Sequence, residues 1–358
     1  MRILYLVPDL FGPPGGIARY CRLVCRALCD DKISLSVVAV NDSGHSVIEA
    51  QEVFPQICYA PCSGDRKLFI LRALAALMQR PTLVMVGHPN FAQLGHIIAS
   101  LARAKLVVFL YGIDVWTPLS RSIQHAIQRA NRVIAISQFT ATQAVKVNPF
   151  ALDRLHILHN CLDPQFHIEN HCARQDTITS ILTVARMSLS ERYKGHDCVI
   201  RAMPHLLVRF PELVYDVVGE GDGRPALEEL AKQQGVAHAV RFHGAVSEEE
   251  LAHRYSATSI YVMPSRFEGF GFVFLEAMAY GKPVIAGNQD ASVEVVQHNQ
   301  TGLLVDPTSV NEIAAAIEYL LANPEVRQHM GRQGAERVNK EFSFPRFREL
   351  LHESLRAL

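Results

Sequence analysis

The chain has 358 residues, of which 49% are hydrophobic and 20% are charged, and its formal net charge at pH 7 is zero. This composition is typical of a folded globular protein and excludes a disordered chain. No apolar run reaches the roughly 18 residues that a membrane-spanning helix needs, and the first apolar run ends at Pro8, too early for a signal peptide. The sequence therefore predicts a cytoplasmic protein, long enough for two domains.

The net charge of zero hides a difference between the two halves of the chain. Residues 1–160 contain 16 Lys or Arg and 9 Asp or Glu, a balance of +7, whereas the remainder contains 19 and 26, a balance of −7. A basic half indicates an anionic partner, and surface charge without any partner is the alternative. The basic surface would consist of Arg19, Arg22, Arg26, Arg66, Lys67, Arg72, Arg103, Lys105, Arg121, Arg129 and Arg132.

The candidate partners of this surface are a membrane, a lipid-linked phosphate and nucleic acid. The basic residues lack an aromatic platform or a known recognition module, which argues against nucleic acid. Anionic lipid attracts each nearby Lys or Arg by about 1 kcal/mol. The sequence therefore favours contact with anionic lipid, at the inner face of the cytoplasmic membrane.

Strand-like and helix-like segments alternate along the first half, the pattern of a parallel sheet covered by helices on both faces. Strands are predicted at 2–8, 34–40, 56–60, 82–86, 105–110, 132–136 and 155–158. Helices are predicted at 17–28, 66–79, 91–103, 119–130 and 138–147. The alternation lapses around residues 159–176, where Asn, Asp-Pro and three histidines follow no period. This segment is predicted to be an interdomain hinge.

The second half restarts the same alternation. Its strands are predicted at 178–184, 214–218, 239–242, 259–263, 283–286 and 302–305, and its helices at 196–209, 225–234, 248–256, 272–280, 291–298, 310–321 and 325–341. A last amphipathic segment, 344–358, follows a break at Pro345. Two similar halves of this kind predict an α/β protein with two Rossmann-like domains.

Eight cysteines and 16 histidines raise the question of a metal site. Cys21, Cys25 and Cys29 are spaced four apart along one predicted helix, so they lie on one face. No C-x2-C pair or neighbouring histidine accompanies them, and the histidines lack metal-binding spacing. We interpret the cysteines as small core residues with reduced thiols, and we expect no metal centre.

The most informative stretch covers residues 265–283, which follow an apolar strand at 259–263 and contain a glycine-bearing loop and a helix. The N-terminus of a helix has free N–H groups and a positive dipole end, which suit a phosphate. Glu276, one turn inside, could accept hydrogen bonds from ribose hydroxyls, and Glu268, ahead of the helix, could hold another polyol. The alternative is an ordinary helix whose acids face water. The loop between the two acids is Gly269, Phe270 and Gly271.

Glu268 and Glu276 resemble the E-x7-E motif of retaining GT-B glycosyltransferases of family 4, the group 1 glycosyltransferases. Arg186 and Lys194, in the loop after the first strand of the second half, match the family's R-x(n)-K-G arrangement. Two cations there can neutralise the charge that develops on a departing nucleoside diphosphate. The resemblance implies that Arg186, Lys194 and Glu268 are catalytic. It extends over nearly the whole chain and is most specific between residues 182 and 306.

The resemblance also implies a set of donor-binding residues placed just after strands. Gly15 and Gly16 open the first helix without side chains, although their spacing is not that of a dinucleotide fingerprint. Gly219 begins a Gly-Glu-Gly-Asp-Gly loop. The segment around His243 lies where relatives present backbone groups to the base. The implied donor-binding set is Gly15, Gly16, Arg186, Lys194, Gly219, His243, Val246, Glu268, Gly269, Phe270, Gly271 and Glu276.

One position departs from the family pattern. Many relatives carry a histidine before a glycine after the fifth strand, where it contacts the transferred sugar, and Tyr111 stands there in this chain. A phenol with a pKa of about 10 can donate a hydrogen bond but is no base near neutral pH. Front-side transfer needs no strong base, because the leaving phosphate can take the acceptor proton, so activity is still expected. The candidates for contact with the sugar or acceptor are His88, Tyr111 and Asp114.

The resemblance therefore implies a GT-B fold, with two Rossmann-like domains facing a cleft. Residues 1–160 would bind the acceptor, 161–176 would be the hinge, 177–343 would bind the nucleotide sugar, and 344–358 would return to the first domain. The implied activity is metal-independent, retaining transfer of a hexose from a UDP- or GDP-sugar, without a cofactor. The acceptor would be a saccharide or a lipid-linked saccharide in polysaccharide, lipopolysaccharide or exopolysaccharide biosynthesis. The alternatives are a GT-B sugar-nucleotide epimerase and a catalytically silent sugar-nucleotide-binding protein.

Overall fold

The structure, a computed structural model, describes residues 1–12, 15–29, 33–148, 152–166 and 179–358. The chain divides into two compact units. The N-terminal unit consists of Met1–Asn160 together with Phe344–Leu358, and the C-terminal unit is Cys161–Ser343. Of the segment predicted to be a hinge, residues 167–176 lie outside the described residues.

The N-terminal unit contains a sheet of seven parallel strands, in the order β3-β2-β1-β4-β5-β6-β7. Its strands are β1 (Arg2–Val7), β2 (Ser34–Ala39), β3 (Cys58–Pro61), β4 (Leu83–Val86), β5 (Lys105–Leu110), β6 (Arg132–Ala135) and β7 (Leu155–Ile157). Its helices are α1 (Gly16–Leu28), α2 (Ser46–Val53), α3 (Arg66–Ala75), α4 (Ala92–Ala102), α5 (Arg121–Gln128) and α6 (Gln138–Val147).

The central strands of this sheet are nearly continuous apolar runs, as expected when helices cover both faces. In β1, for example, every residue after Arg2 is buried. The chain moves in one direction across the sheet from β1 to β3 and in the other from β3 to β7. Because parallel crossovers are right-handed, α1 and α2 lie on one face, and α3, α4, α5 and α6 lie on the other.

The C-terminal segment of the chain forms α14 (Phe344–Arg356), which packs on α1 in the N-terminal unit. The ring of Phe347 lies edge-on to Tyr20, with 5.6 Å between the ring centroids. His352 Nε2 lies 3.0 Å from the carbonyl oxygen of Ala27. The guanidinium of Arg132 donates to the carbonyl oxygen of Ser354. Residues distant in sequence therefore complete the face of the sheet that α1 covers.

The C-terminal unit contains a sheet of six parallel strands, in the order β10-β9-β8-β11-β12-β13. Its strands are β8 (Ser180–Val184), β9 (Val214–Val218), β10 (Val240–Gly244), β11 (Ile260–Met263), β12 (Val284–Gly287) and β13 (Gly302–Val305). Its helices are α7 (His196–Arg209), α8 (Arg224–Gln233), α9 (Glu248–Ala257), α10 (Phe272–Ala279), α11 (Ser292–Val295), α12 (Val310–Ala322) and α13 (Pro324–Glu341). Beside β8 the chain reverses the direction in which it crosses the sheet. In open α/β sheets, ligands bind at such a reversal, beyond the carboxyl ends of the strands.

The structure differs from the predicted helices at two places. Helix α2 was not predicted, because it buries only Ser46 and Ala50 and so shows no apolar period. The helix predicted at 291–298 ends at Val295, because Asn299 adopts a left-handed conformation (φ +62°) and the Gln297 N–H donates to the Thr301 hydroxyl. Among the described residues, none of the helices combines the length and apolar character needed to cross a membrane.

Candidate active site

The loops that leave the carboxyl ends of the C-terminal unit's strands pack against one another. The two 3₁₀ turns over Leu189–Lys194 follow β8, and the loop of residues 264–271 follows β11. The Arg266 N–H donates to the carbonyl oxygen of Tyr193 at 3.0 Å, and the rings of Tyr193 and Phe267 meet edge-on at 5.7 Å. This contact brings the predicted cations of one loop to the predicted acids of the other.

Lys194 and Glu268 form an ion pair at the centre of this edge. Lys194 Nζ lies 2.6 Å from Glu268 Oε2, and each side chain is only 16% exposed. Burial lowers the pKa of Lys194, but the neighbouring Glu268 carboxylate raises it, and the net shift is upward. The ammonium therefore remains charged throughout the physiological pH range. The residual exposure leaves both groups accessible to a ligand.

Arg186 is a second cation in the loop after β8. Its Nη2 lies 2.5 Å from Oε1 of Glu191, whose carboxylate is largely buried, whereas the Arg186 side chain is 66% exposed. A guanidinium has five N–H donors, so one ion pair leaves others for an anion. Glu191 was not identified from the sequence, because a single acid in a polar loop gives no motif.

The Gly-Phe-Gly segment after Glu268 sets up the N-terminus of α10. Gly271 is the N-cap, with φ at +93°, and a Cβ added there would lie 2.4 Å from the Phe274 ring. Only glycine fits that combination. Phe270 is buried, and its ring lies edge-on to that of Phe342 with 5.6 Å between the centroids. This contact anchors the loop in the core. Gly269 remains partly exposed beside it. The Phe270 side chain is therefore directed into the core, and no other side chain lies between Glu268 and α10.

Glu276 lies on the second turn of α10 and is 4% exposed. The Tyr255 hydroxyl, from α9, donates to Glu276 Oε2 at 2.7 Å. Tyr255 in turn stacks on Tyr280, with 5.7 Å between ring centroids and 11° between planes. Glu276 is therefore a fixed, buried acceptor, not the water-facing acid of the alternative interpretation. Tyr255 was missed because no sequence pattern connects it with Glu276.

Gly219, His243 and Val246 lie at the β9–β10 end of the sheet. Gly219 follows β9, and its N–H donates to the Gly244 carbonyl oxygen at 2.8 Å. The ladder between β9 and β10 shifts register around His243, whose Nε2 lies 2.6 Å from Oδ1 of Asp216. Val246 follows β10 and is partly exposed. Asp216, a buried acid inside β9, was not identified from the sequence.

The remaining predicted residues belong to the N-terminal unit. Gly15 and Gly16 lie exposed at the start of α1, with Gly15 as its N-cap. His88 follows β4, and its Nδ1 accepts from the Asn90 N–H at 3.2 Å; burial lowers its pKa, so the ring is neutral at pH 7. Asp114 follows β5, and burial raises its pKa to about 6. His88 and Asp114 thus follow neighbouring strands at one edge of the sheet.

Tyr111 has a different environment from the one expected of a sugar contact. It is 6% exposed, its hydroxyl lies 3.7 Å from Cys21 Sγ, and its ring meets Tyr20 edge-on at 5.4 Å. Burial raises its pKa well above the usual value. The hydroxyl points into the core of the unit, so Tyr111 is not placed to touch the sugar. The contacts of Tyr111 with Cys21 and Tyr20 of α1 explain this orientation. No local sequence signal would have shown the orientation.

Two family models match the chain, one on each side of residue 170. The model described as "Glycosyl transferases group 1" matches residues 173–337, and the model described as "Glycosyltransferase Family 4" matches residues 14–166. Together they account for most of the sequence. The chain belongs to the group 1, family 4 glycosyltransferases. The family resemblance inferred from the motifs is therefore confirmed.

Similarity to solved structures agrees with this glycosyltransferase assignment at the level of the fold. The structure of Anabaena Alr3699/HepE in complex with UDP-glucose superposes with a TM-score of 0.83 and 20% identity over all of both chains. At that identity the similarity shows the fold alone. The predicted class, GT-B with two Rossmann-like domains, is confirmed by this match and by the two parallel sheets.

Two named relatives are similar to this chain over part of their sequences. A GDP-mannose-dependent alpha-(1-6)-phosphatidylinositol monomannoside mannosyltransferase from Mycobacterium tuberculosis is 37% identical over 181 residues, 49% of this chain and 47% of that protein. The alpha-D-kanosaminyltransferase of Streptomyces kanamyceticus is 28% identical over 221 residues, 59% and 56% of the respective chains. The matched region spans about half the length of these relatives.

In the part of the chain that the structure describes, no group of three or more His, Cys, Asp or Glu side chains is placed to hold a metal ion. The charged side chains at the predicted donor site are Arg186 and Lys194 as cations, and Glu268 and Glu276 as acids.

Proposed function

We propose that the protein transfers a hexose from a nucleoside-diphosphate sugar to a saccharide or lipid-linked acceptor, with retention and without a metal ion. The observation that carries this proposal is the ion pair of Lys194 with Glu268 beside the N-terminus of α10. It places a partly accessible ammonium and a carboxylate beside the positive end of the α10 dipole. A sugar diphosphate needs both kinds of group, since its phosphates are anionic and its sugar is a polyol.

Each group has a role in the proposed reaction. The bond between C1 of the sugar and the phosphate oxygen breaks, and a bond from C1 to the acceptor oxygen forms on the same face. The acceptor proton passes to the departing phosphate. Negative charge develops on that phosphate, where Lys194 and Arg186 stabilise it. These cations accelerate the reaction because they interact more strongly with the transition state than with the bound donor. Glu268 binds sugar hydroxyls, and Glu276 binds the ribose.

The nucleotide and the sugar can be identified by a donor survey. Binding and turnover of UDP-glucose, UDP-galactose, UDP-N-acetylglucosamine, GDP-mannose and GDP-glucose would be measured with EDTA present. GDP-mannose is the first donor to test because the mycobacterial relative is named for it. We expect one donor to turn over with undiminished rate in chelator. Turnover that chelation abolishes would contradict metal independence, and tight binding without turnover on any acceptor would favour the silent binding protein.

The acceptor side of the proposal rests on the N-terminal unit and its charge. Residues 66–152, which contain α3 to α6, include ten Lys or Arg and a single acid, Asp114. These helices cover one face of the sheet. Exposed cations on and between them are Arg66, Lys67, Arg80, Arg103, Lys105, Arg121, Arg129 and Lys146. Asp65, the N-cap of α3, lies just before this range, but cations still outnumber acids on this face. The face therefore complements an anionic lipid surface.

Apolar side chains accompany these cations on the adjacent helices α3 and α4. Leu71 and Leu101 are each 64% exposed, and Met78, in the 3₁₀ turn after α3, is 88% exposed. Ile70 and Ile97 are also exposed on these helices. Exposed apolar residues inside a basic surface are typical of proteins that rest on a bilayer. We therefore propose that the face formed by α3 and α4 contacts anionic lipid where a lipid-linked acceptor is presented.

The structure removes some residues from the basic surface that was predicted from the sequence. Arg132 is 8% exposed and donates to Ser354 in α14, so its assignment to a lipid-contacting surface was wrong. Arg22 donates to the carbonyl oxygen of Leu10, and Arg26 lies over the Phe54 ring at 5.8 Å. Arg22 and Arg26 belong to α1, on the opposite face of the sheet from α3 and α4. The proposed lipid-contacting surface is therefore confined to the face of the sheet that carries α3 and α4.

Vesicle sedimentation tests this surface. The parent should sediment with vesicles that contain phosphatidylglycerol at low salt and remain in solution with phosphatidylcholine alone. Lys67→Glu combined with Arg103→Glu should weaken binding by at least tenfold, because each cation contributes about 1 kcal/mol. Leu71→Ser with Met78→Ser should also weaken it, whereas Val208→Ser, an 84% exposed valine of α7, should not. Equal binding by the parent and both double variants would contradict the proposed surface.

A further inference from the structure

A second loop of the C-terminal unit packs against the backbone of Glu268. It follows β12 and contains Asp290, whose side chain is 1% exposed. Asp290 Oδ2 accepts hydrogen bonds from the Glu268 backbone N–H and from the Ser265 hydroxyl, both at 2.7 Å. Its Oδ1 accepts from the Ser292 N–H at 2.9 Å. A single carboxylate therefore connects two loops through three donors.

The connection includes both sides of the Glu268 residue. Asp290 holds the N–H of Glu268, and the N–H of the next residue, Ala291, donates to the Glu268 carbonyl oxygen at 3.2 Å. The Lys194 ammonium holds the end of the same side chain at 2.6 Å. Glu268 is thus fixed at its backbone from one side and at its carboxylate from another. Neither Asp290 nor Ala291 is itself on the exposed side of the loop, since both are buried.

Close backbone approach makes the contact between the two loops possible. Strands β11 and β12 are paired, and Gly287 at the end of β12 lies against Ser265. A Cβ at position 287 would be 2.0 Å from the Ser265 carbonyl oxygen, so any larger residue would push the loops apart. Burial raises the pKa of Asp290 to about 6, and at pH 7.5 the ionised carboxylate acts only as an acceptor, matching its three donors.

We propose that Asp290 is a positioning residue for the transfer reaction, which holds the Glu268 backbone so that its carboxylate meets the hexose of the donor. This inference rests on the proposed function, since Glu268 acts on the sugar only if the donor binds here. Asp290 does not contact the donor. Displacement of a reacting group by a fraction of an ångström lowers turnover strongly, whereas nucleotide affinity depends on other residues.

The test uses Asp290→Asn in the full-length protein, with the donor that the parent turns over. The asparagine keeps the shape of the side chain but presents an N–H₂ group where both acceptor oxygens are needed. We expect kcat to fall about 10- to 100-fold, whereas the Kd of the nucleoside diphosphate changes less than threefold. The matched control is Asp306→Asn. Asp306 follows β13, and its Oδ1 accepts hydrogen bonds from the N–H and the hydroxyl of Thr308. This variant should keep the parent's kcat and Kd.

A double-mutant cycle separates positioning from a general structural role. In a Glu268→Gln background, Asp290→Asn should lower kcat less than twofold further, because both changes act through one side chain. Independent, multiplied effects would overturn the proposal, and so would a kcat of Asp290→Asn within twofold of the parent. If Asp290→Asn does not fold, Ser265→Ala, which removes one donor to the same oxygen, should give the same kcat-specific loss; unchanged kcat there also overturns it. Absence of turnover in the parent itself contradicts the proposed function instead.

Discussion

Lys194→Ala is expected to lower turnover by about 100- to 1,000-fold, the usual consequence of removing one group that stabilises developing charge in an enclosed site. The Lys194 side chain is 16% exposed and its Nζ lies 2.6 Å from Glu268 Oε2, so water cannot easily replace the ammonium. The same change should lower the free energy of unfolding by about 3 kcal/mol, because it leaves a largely buried carboxylate without its cation. Single-turnover kinetics and urea denaturation would measure the two effects.

A second variant separates the two roles of Lys194. Lys194→Met combined with Glu268→Gln removes both charges and should recover most of the lost stability, since neither side chain is then an uncompensated ion. Turnover should remain at the level of the single variants or below. Lys232→Ala, which removes an exposed lysine of α8 paired with Glu229 at 3.8 Å, is the matched control and should change neither quantity. Recovery of turnover together with stability would show that the pair is only structural.

Glu276→Gln is expected to weaken binding of the nucleoside diphosphate by about 10- to 100-fold, because a hydrogen bond to a charged group contributes about 1.5–3 kcal/mol. The carboxylate is 4% exposed and is held by Tyr255, so it is fixed before the ligand arrives. The glutamine is similar in shape but makes a weaker, neutral acceptor. Isothermal titration calorimetry with the nucleotide of the preferred donor would measure the change.

The contribution of the ribose can be isolated with a 2′,3′-dideoxynucleotide. The parent should bind this analogue about 10- to 100-fold more weakly than the natural nucleotide, whereas Glu276→Gln should bind the two with nearly equal affinity. Tyr255→Phe, which removes the hydroxyl that holds Glu276, should give an intermediate discrimination. Glu325→Ala, an exposed acid of α13, is the control. Equal discrimination by the parent and Glu276→Gln would contradict the ribose assignment.

Much of the architecture was readable from the sequence for a simple reason. Strands buried on both faces are short apolar runs, and helices such as α7, predicted and found at 196–209, carry a regular apolar stripe. Residues that follow such strands share one edge of the sheet, so the positions of Arg186, Lys194 and Glu268 could be inferred from local pattern alone. Helices with little burial, such as α2, gave no such signal.

The sequence alone determined the family, the two alternating α/β halves and the acids and cations on which the proposed donor site depends, because each is a local pattern of spacing. Tertiary structure alone decided which partners hold them. Asp290 supports Glu268 from 22 residues away, and Tyr255 reaches Glu276 from a different helix. Tyr111 faces Cys21, 90 residues earlier, and not a ligand. Such contacts depend on how strands and helices pack, and packing between distant segments leaves no spacing in the sequence.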